Sequence, residues 1–309
     1  MGTIRYIFDL SNKKKKKIEI FLFFRDFSLF FSSVFLFLLL QKIARCAIFL
    51  PTICKISVGK ETEMHFKDEE ITSYGYATHH FHFDGCSCTV VEPSNPLPGV
   101  RWVWKAEFFT AFPKFELEML HRGYFICYMN VGNTFGCPDA MKHFDKFYEL
   151  LTTRYKFDHY PILLGLSRGG LYIYNWACAN PDKVGCVYAD NPVCDFKSWP
   201  GAKGVGPGSE RDWEKLLQDY HFASEEEAMQ YPQPIDKVGI LVKAGVPLVH
   251  AAATEDEIVP ISENTDVMEK RVAECGGTLK VFRHPGLHHP HGLDDPAPLA
   301  DWIEANALR

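Results

Sequence analysis

The string Gly165-Leu166-Ser167-Arg168-Gly169-Gly170 has the spacing Gly-x-Ser-x-Gly. An apolar, strand-like run at 161–166 precedes Ser167, and a helix-like run at 168–180 follows it. A serine at such a junction sits on a tight, strained turn. Its Oγ projects from the sheet over a helix N-terminus, which favours developing negative charge. Gly165 and Gly169 suit the need to omit side chains across that turn. A hydroxyl is a poor nucleophile until a base takes its proton, and a carboxylate fixes the tautomer of that base. Two later loops supply both groups. Thr254-Glu255-Asp256-Glu257-Ile258-Val259-Pro260 offers Asp256 as the acid, with Glu255 and Glu257 as alternatives. Arg283-His284-Pro285-Gly286-Leu287-His288-His289-Pro290-His291-Gly292 offers His288 as the base, with His289 as the alternative.

Positioning three such residues needs a scaffold, and the hydropathy pattern describes one. Residues 79–92 read as a hairpin turning at Asp84-Gly85. Strands are expected at 100–104, 124–131, 161–166, 184–189, 247–253 and 278–282. Helices are expected at 115–121, 138–154, 168–180, 235–243, 262–275 (capped by Ser262) and 297–308. Residues 191–234, rich in Pro, Gly, Trp and charge, break the rhythm as a cap-like insert after the sixth strand. This alternation predicts an α/β architecture: a mostly parallel central sheet with helices on both faces, its working residues on loops at the strand C-termini.

The elbow at Ser167 and the two loops after it resemble the α/β-hydrolase superfamily, over about residues 79–308. The resemblance implies a serine hydrolase with a Ser167, Asp256, His288 triad in that chain order. It implies an oxyanion hole made by the Arg168 backbone N–H and, from the loop after the third strand, by the backbone of Trp104 and Lys105. The Arg168 side chain could read a substrate carboxylate bidentately or form an ion pair under the elbow. The Ser-Arg-x-Gly string is similar to that of glucuronoyl methylesterases. The stretches 194–201 and 288–293 look closer to the prolyl-oligopeptidase-like and carbohydrate-esterase branch. Trp199 and Asp195, with Lys197 and Tyr220, are candidate substrate-pocket residues. The expected activity is hydrolysis of a carboxylic ester on a carbohydrate or other small polar substrate, with no cofactor. The alternatives are a peptidase of that branch, whose members usually carry a propeller for which this length leaves no room, and a non-catalytic binding protein of the same fold.

Metal catalysis is the competing chemistry. His80-x-His82 would put two imidazoles on one face of a strand, and His284, His288, His289 and His291 cluster near Asp294 and Asp295. The other ligands of barrel metal hydrolases are missing and no Cys-x-x-Cys occurs, so no metal is expected. The 309 residues carry 33 Lys/Arg and 39 Asp/Glu, unevenly placed. Residues 1–60 hold 11 basic and 3 acidic side chains, and the first 50 residues hold 10 of the 25 Phe. The rest is strongly acidic, which argues against nucleic acid as a partner. Residues 1–65, with the basic run 13–17 and the apolar run 27–40, read as a signal- or anchor-like segment, a mis-called start or a genuine folded segment. The chain is then secreted or periplasmic if the signal is genuine and cytoplasmic otherwise, with membrane contact only through an uncleaved anchor. Residues 66–309 form the catalytic domain.

Overall fold

The computed structural model describes residues 75–308, together with the strands β1 (Ile4–Phe8), β2 (Ile18–Leu22) and β3 (Glu70–Ser73). The chain divides into two units, Met1–Glu63 and Met64–Arg309. In the first, β1 and β2 pair antiparallel, with Ile4 opposite Leu22 and Phe8 opposite Ile18. The apolar run at 27–40 lies outside the described residues.

The second unit is built on a nine-stranded sheet. Its strands after β3 are β4 (Tyr76–Phe83), β5 (Cys86–Val91), β6 (Trp102–Lys105), β7 (Phe125–Asn130), β8 (Ile162–Leu166), β9 (Cys186–Asp190), β10 (Leu248–Ala253) and β11 (Leu279–His284). Their order is β11-β10-β9-β8-β6-β7-β5-β4-β3. β6 to β11 run parallel, and β3, β4 and β5 extend the sheet antiparallel. The turn between β4 and β5 uses left-handed Asp84 (φ 50°) and Gly85 (φ 81°), as its Asp-Gly pair predicts.

Side-chain alternation along β6 separates two cores. Trp102 and Trp104 face one side, where Trp104 meets Trp176 of α3 (Gly169–Ala179) at 4.9 Å and Phe144 of α2 (Pro138–Glu149) at 4.7 Å. Val103 faces the other side, with Phe115 and Met119 of α1 (Lys114–His121) and Leu299 and Ile303 of α9 (Ala297–Asn306). Helices thus cover both faces, as expected.

The insert is tied down. It carries α4 (Glu210–Asp219) and α5 (Glu225–Gln230), capped by Ser209 and Ser224. Phe196 packs at its centre against Trp213, Tyr220, Phe222 and Tyr231, with ring centroids 5.5–6.1 Å away. The helix expected at 235–243 is two short helices, α6 (Pro234–Lys237) and α7 (Gly239–Lys243). The helix expected from Ser262 begins instead at Thr265 (α8, Thr265–Glu274), after a 3-10 turn at Ile261–Glu263. Asn264 occupies the cap position but spends its side chain on Cys194 N–H, Ser198 Oγ and Pro260 O, clamping the insert to this loop. Among the described residues, no helix is long and apolar enough to cross a membrane.

Candidate active site

The elbow follows from β8 ending in a fully buried pocket of the sheet, so the chain must reverse at once to enter α3. Ser167 takes φ 51°, a left-handed conformation that costs a non-glycine residue about 1–3 kcal/mol. Its backbone is pinned on three sides. The N–H donates to Asp190 O (2.9 Å), and the carbonyl accepts from Gly170 N (3.0 Å) and Val193 N (2.9 Å). A Cβ at Gly165 would lie 2.6 Å from Gly169 O, and one at Gly170 would lie 2.6 Å from Val193 O. At Gly169 the nearest atom would be Glu107 Cβ, at 3.9 Å. The positions that demand glycine are therefore 165 and 170, not 165 and 169.

Ser167 Oγ lies 2.9 Å from His288 Nε2, and His288 Nδ1 lies 2.6 Å from Asp256 Oδ2. The other oxygen of Asp256 accepts the N–H groups of Ile258 (2.9 Å) and Val259 (2.8 Å). Asp256 and His288 are buried, whereas Glu255, Glu257 and His289 are exposed. The tight turn after β10 selects the acid, and the loop after β11 selects the base. Asn191, with φ 42°, links the two: its Oδ1 accepts Ala253 N–H (2.8 Å) and its Nδ2 donates to His288 O (3.2 Å). A lone asparagine in the insert carries no sequence signal for this role.

Next to this chain lies a second carboxylate–imidazole pair. Asp190, the last residue of β9, bonds His291 Nδ1 at 2.8 Å. It also accepts the Tyr188 hydroxyl (2.6 Å) and the Gly292 N–H (3.1 Å). Burial alone would raise the Asp190 pKa, but the His291 hydrogen bond and charge, with Tyr188 and Gly292, hold it below the usual value. The rings of His288 and His291 are 4.8 Å apart, and His289 lies 4.6 Å and 5.0 Å from them. Partial burial and its two histidine neighbours lower the His289 pKa.

The remaining expected residues are sorted differently by the structure. Arg168 Nε donates to both oxygens of Glu107 (2.8 and 2.7 Å), and its Nη2 reaches Oε1 at 2.6 Å. The guanidinium also lies over Phe108 and Phe135. It is paired with an internal carboxylate, as the ion-pair alternative describes, and it also lines the pocket. Burial pushes the Glu107 pKa up, against the pull of Arg168. Trp104 and Lys105 are displaced from the expected oxyanion hole. Both lie inside β6, paired to β7 and β8, and Lys105 turns its ammonium to Ala111 O and the buried Glu116. Asp195 is also displaced: its Oδ1 accepts the Lys197 N–H (2.8 Å) in a turn of the insert, and it does not line the pocket. Trp199 does line it. The pocket, about 240 Å³, is lined by Phe108, Phe112, Trp199 and Ile258, by the charged Arg168 and Asp212, and by Ser167 and the histidines. Of the two histidine groups, His80 and His82 are exposed and do not converge. Among the described residues only His288, His289 and His291 bring their ligand atoms together, within 4.8 Å.

No family model and no curated protein matches the chain. Solved structures do match. Pyrococcus horikoshii acylaminoacyl peptidase aligns with TM-score 0.57 and 14% identity over 75% of this chain and 42% of that one. Porphyromonas gingivalis dipeptidyl peptidase 4 aligns with TM-score 0.56 and 12% identity over 75% and 36%. A puromycin hydrolase aligns with TM-score 0.53 and 18% identity over 74% and 37%. The chain thus spans less than half the length of each. Strand order, elbow and neighbours agree: the fold is that of an α/β-hydrolase, resembling the prolyl-oligopeptidase-like branch.

Proposed function

We propose that this chain is a serine hydrolase that cleaves acyl compounds through an acyl-enzyme on Ser167. The observation that carries the reading is the unbroken hydrogen-bonded chain from Ser167 Oγ through His288 to Asp256, set on a strained elbow. His288 Nε2 takes the hydroxyl proton as Ser167 attacks the carbonyl carbon, then returns it to the leaving group. Asp256, held by two backbone N–H groups, keeps Nδ1 protonated and stabilises the imidazolium. The Arg168 N–H at the start of α3 is one oxyanion donor. The second comes from the pocket-lining stretch after β6, where Phe108 holds φ 54°.

Amide or short-peptide substrates are the first reading for the scissile bond. The neighbours named above are peptidases and a puromycin hydrolase. A cavity of about 240 Å³ is smaller than sites for drug-sized ligands and suits one apolar group. Arg168 is neutralised by Glu107 and Asp212 adds a carboxylate to the lining, so an anionic group is disfavoured. A carboxylic ester, including one on a carbohydrate, is the second reading, favoured by Trp199 in the wall. A fluorophosphonate probe tests the class: wild type should label and Ser167→Ala should not, and equal labelling would end the hydrolase reading. Aminoacyl and N-acyl-aminoacyl p-nitroanilides, compared with p-nitrophenyl esters and acetylated sugars, decide the bond. Turnover confined to the esters would remove the peptidase reading.

A further inference from the structure

His288 and His291 are oriented alike. Each has Nδ1 on a buried carboxylate, Asp256 at 2.6 Å and Asp190 at 2.8 Å. A carboxylate on Nδ1 fixes the proton there and leaves a lone pair on Nε2. A carboxylate on the far ring nitrogen in this way orients metal-ligating histidines and raises their basicity. Two such imidazoles stand side by side here, with a third, His289, beside both. Only one of the two lone pairs, that of His288, meets a hydroxyl. A single triad needs only one carboxylate–imidazole pair, so Asp190, His291 and His289 are unexplained by hydrolysis.

We infer that His288, His289 and His291 form a Zn²⁺ site that competes with Ser167 for the Nε2 lone pair of His288. Imidazole nitrogens suit Zn²⁺, and three of them leave a fourth position for water. Tetrahedral coordination at Zn–N near 2.0–2.1 Å places the nitrogens about 3.4 Å apart. The ligand atoms here lie within 4.8 Å, and His289, exposed and stacked on Phe112 without a carboxylate on its ring, is the one that moves to close that gap. Zn²⁺ bound there withdraws the base, so hydrolysis stops while metal is bound and resumes when it leaves. This inhibitory consequence rests on Ser167 being the nucleophile; the metal site itself does not.

The test uses the full chain, stripped with chelator and then titrated with ZnCl₂. Calorimetry and bound zinc after dialysis read the site without reference to activity. Wild type should bind one Zn²⁺. Ser167→Ala, which removes the competing hydroxyl, should bind it at least as tightly. His289→Asn, an exposed change, and His291→Gln should each weaken binding at least tenfold. In wild type, fluorophosphonate labelling should fall at least tenfold with Zn²⁺ and recover with chelator. Absence of bound zinc, unchanged affinity in both histidine variants, or zinc binding that leaves labelling intact would overturn the inference. A metal-free protein that never labels would instead overturn the hydrolase reading, and the calorimetry would still decide the site.

Discussion

Two carboxylate–imidazole pairs lie side by side at the C-terminal ends of neighbouring strands, and only one meets the Ser167 hydroxyl. Asp256–His288 sits on loops after β10 and β11, and its Nε2 reaches Ser167 Oγ. Asp190–His291 starts from the last residue of β9, inside the sheet, and is surrounded by Tyr188 and Gly292. The chemistry of each pair is alike; the placement differs. A carboxylate on a loop is held by backbone N–H groups and can serve a base that must gain and lose a proton. A carboxylate within a strand also fastens the loop that carries the base, since Asp190 O holds the Ser167 N–H while Asp190 Oδ1 holds His291. One pair reaches the Ser167 hydroxyl, and the other ties β9 to the loop that carries His288 and His291.

The comparison breaks most sharply at Asp256. Asp256→Asn preserves shape but favours the wrong tautomer of His288, so kcat should fall on the order of 10⁴-fold. The melting temperature should fall by less than in Asp190→Asn, because the two backbone donors keep an acceptor on Asp256 and the side chain has no further partner to lose beyond His288. Steady-state kinetics beside thermal unfolding measure both. A tenfold loss or less would mean that Asp256 does not orient the base.

Asp190→Asn should show the reverse balance. Removing one charge from a buried, fully bonded pair costs about 3 kcal/mol, or a fall in melting temperature of roughly 6–12 °C. The kcat should drop far less than in Asp256→Asn. The pH dependence sharpens the case. The Asp190 pKa is held below its ordinary value, so its contribution is present at neutral pH and fades as pH falls through the acid range. The wild type should therefore lose stability more steeply than Asp190→Asn as pH falls below about 4, through the unfolded and then the lower folded value. Parallel curves for the two proteins would remove Asp190 as a stabilising anion.

The same contrast explains what the sequence makes legible. Ser167, Asp256 and His288 announce themselves because each lies where an apolar strand gives way to a small-residue or polar loop, a change visible within ten residues. Asp190, Glu107 and Asn191 do not. Each gains its role from a partner far away in sequence: Asp190 and Asn191 because β9 lies between β8 and β10, and Glu107 because β6 pairs with β8. Trp104 and Lys105 mislead for the opposite reason. They stand at the expected strand end, but that strand stays paired on both sides through Lys105, and the turn toward the pocket comes after it. The Gly169 expectation fails more subtly, since the string motif names the residue whose carbonyl crowds Gly165 rather than one that lacks room itself.

A third carboxylate completes the series and gives the smallest effect. Glu107, just past β6, is paired not with an imidazole but with the Arg168 guanidinium, which cannot release a proton. This pair can do neither of the jobs above; it cancels a charge beside the nucleophile. Glu107→Gln keeps one acceptor and removes the cancellation. Stability should fall by about 1–2 kcal/mol, less than for Asp190→Asn, because the Arg168 side chain retains some exposure to water. Specificity should shift in a defined direction. With its guanidinium unpaired, Arg168 becomes able to take a substrate carboxylate, so kcat/KM for a substrate with a free carboxylate near the scissile bond should rise several-fold relative to its uncharged analogue. The ratio of the two, measured in wild type and Glu107→Gln, isolates this effect from the general loss of stability. A ratio that stays constant would mean that Glu107 does not set the charge of the pocket, and that the apolar walls alone select the uncharged group.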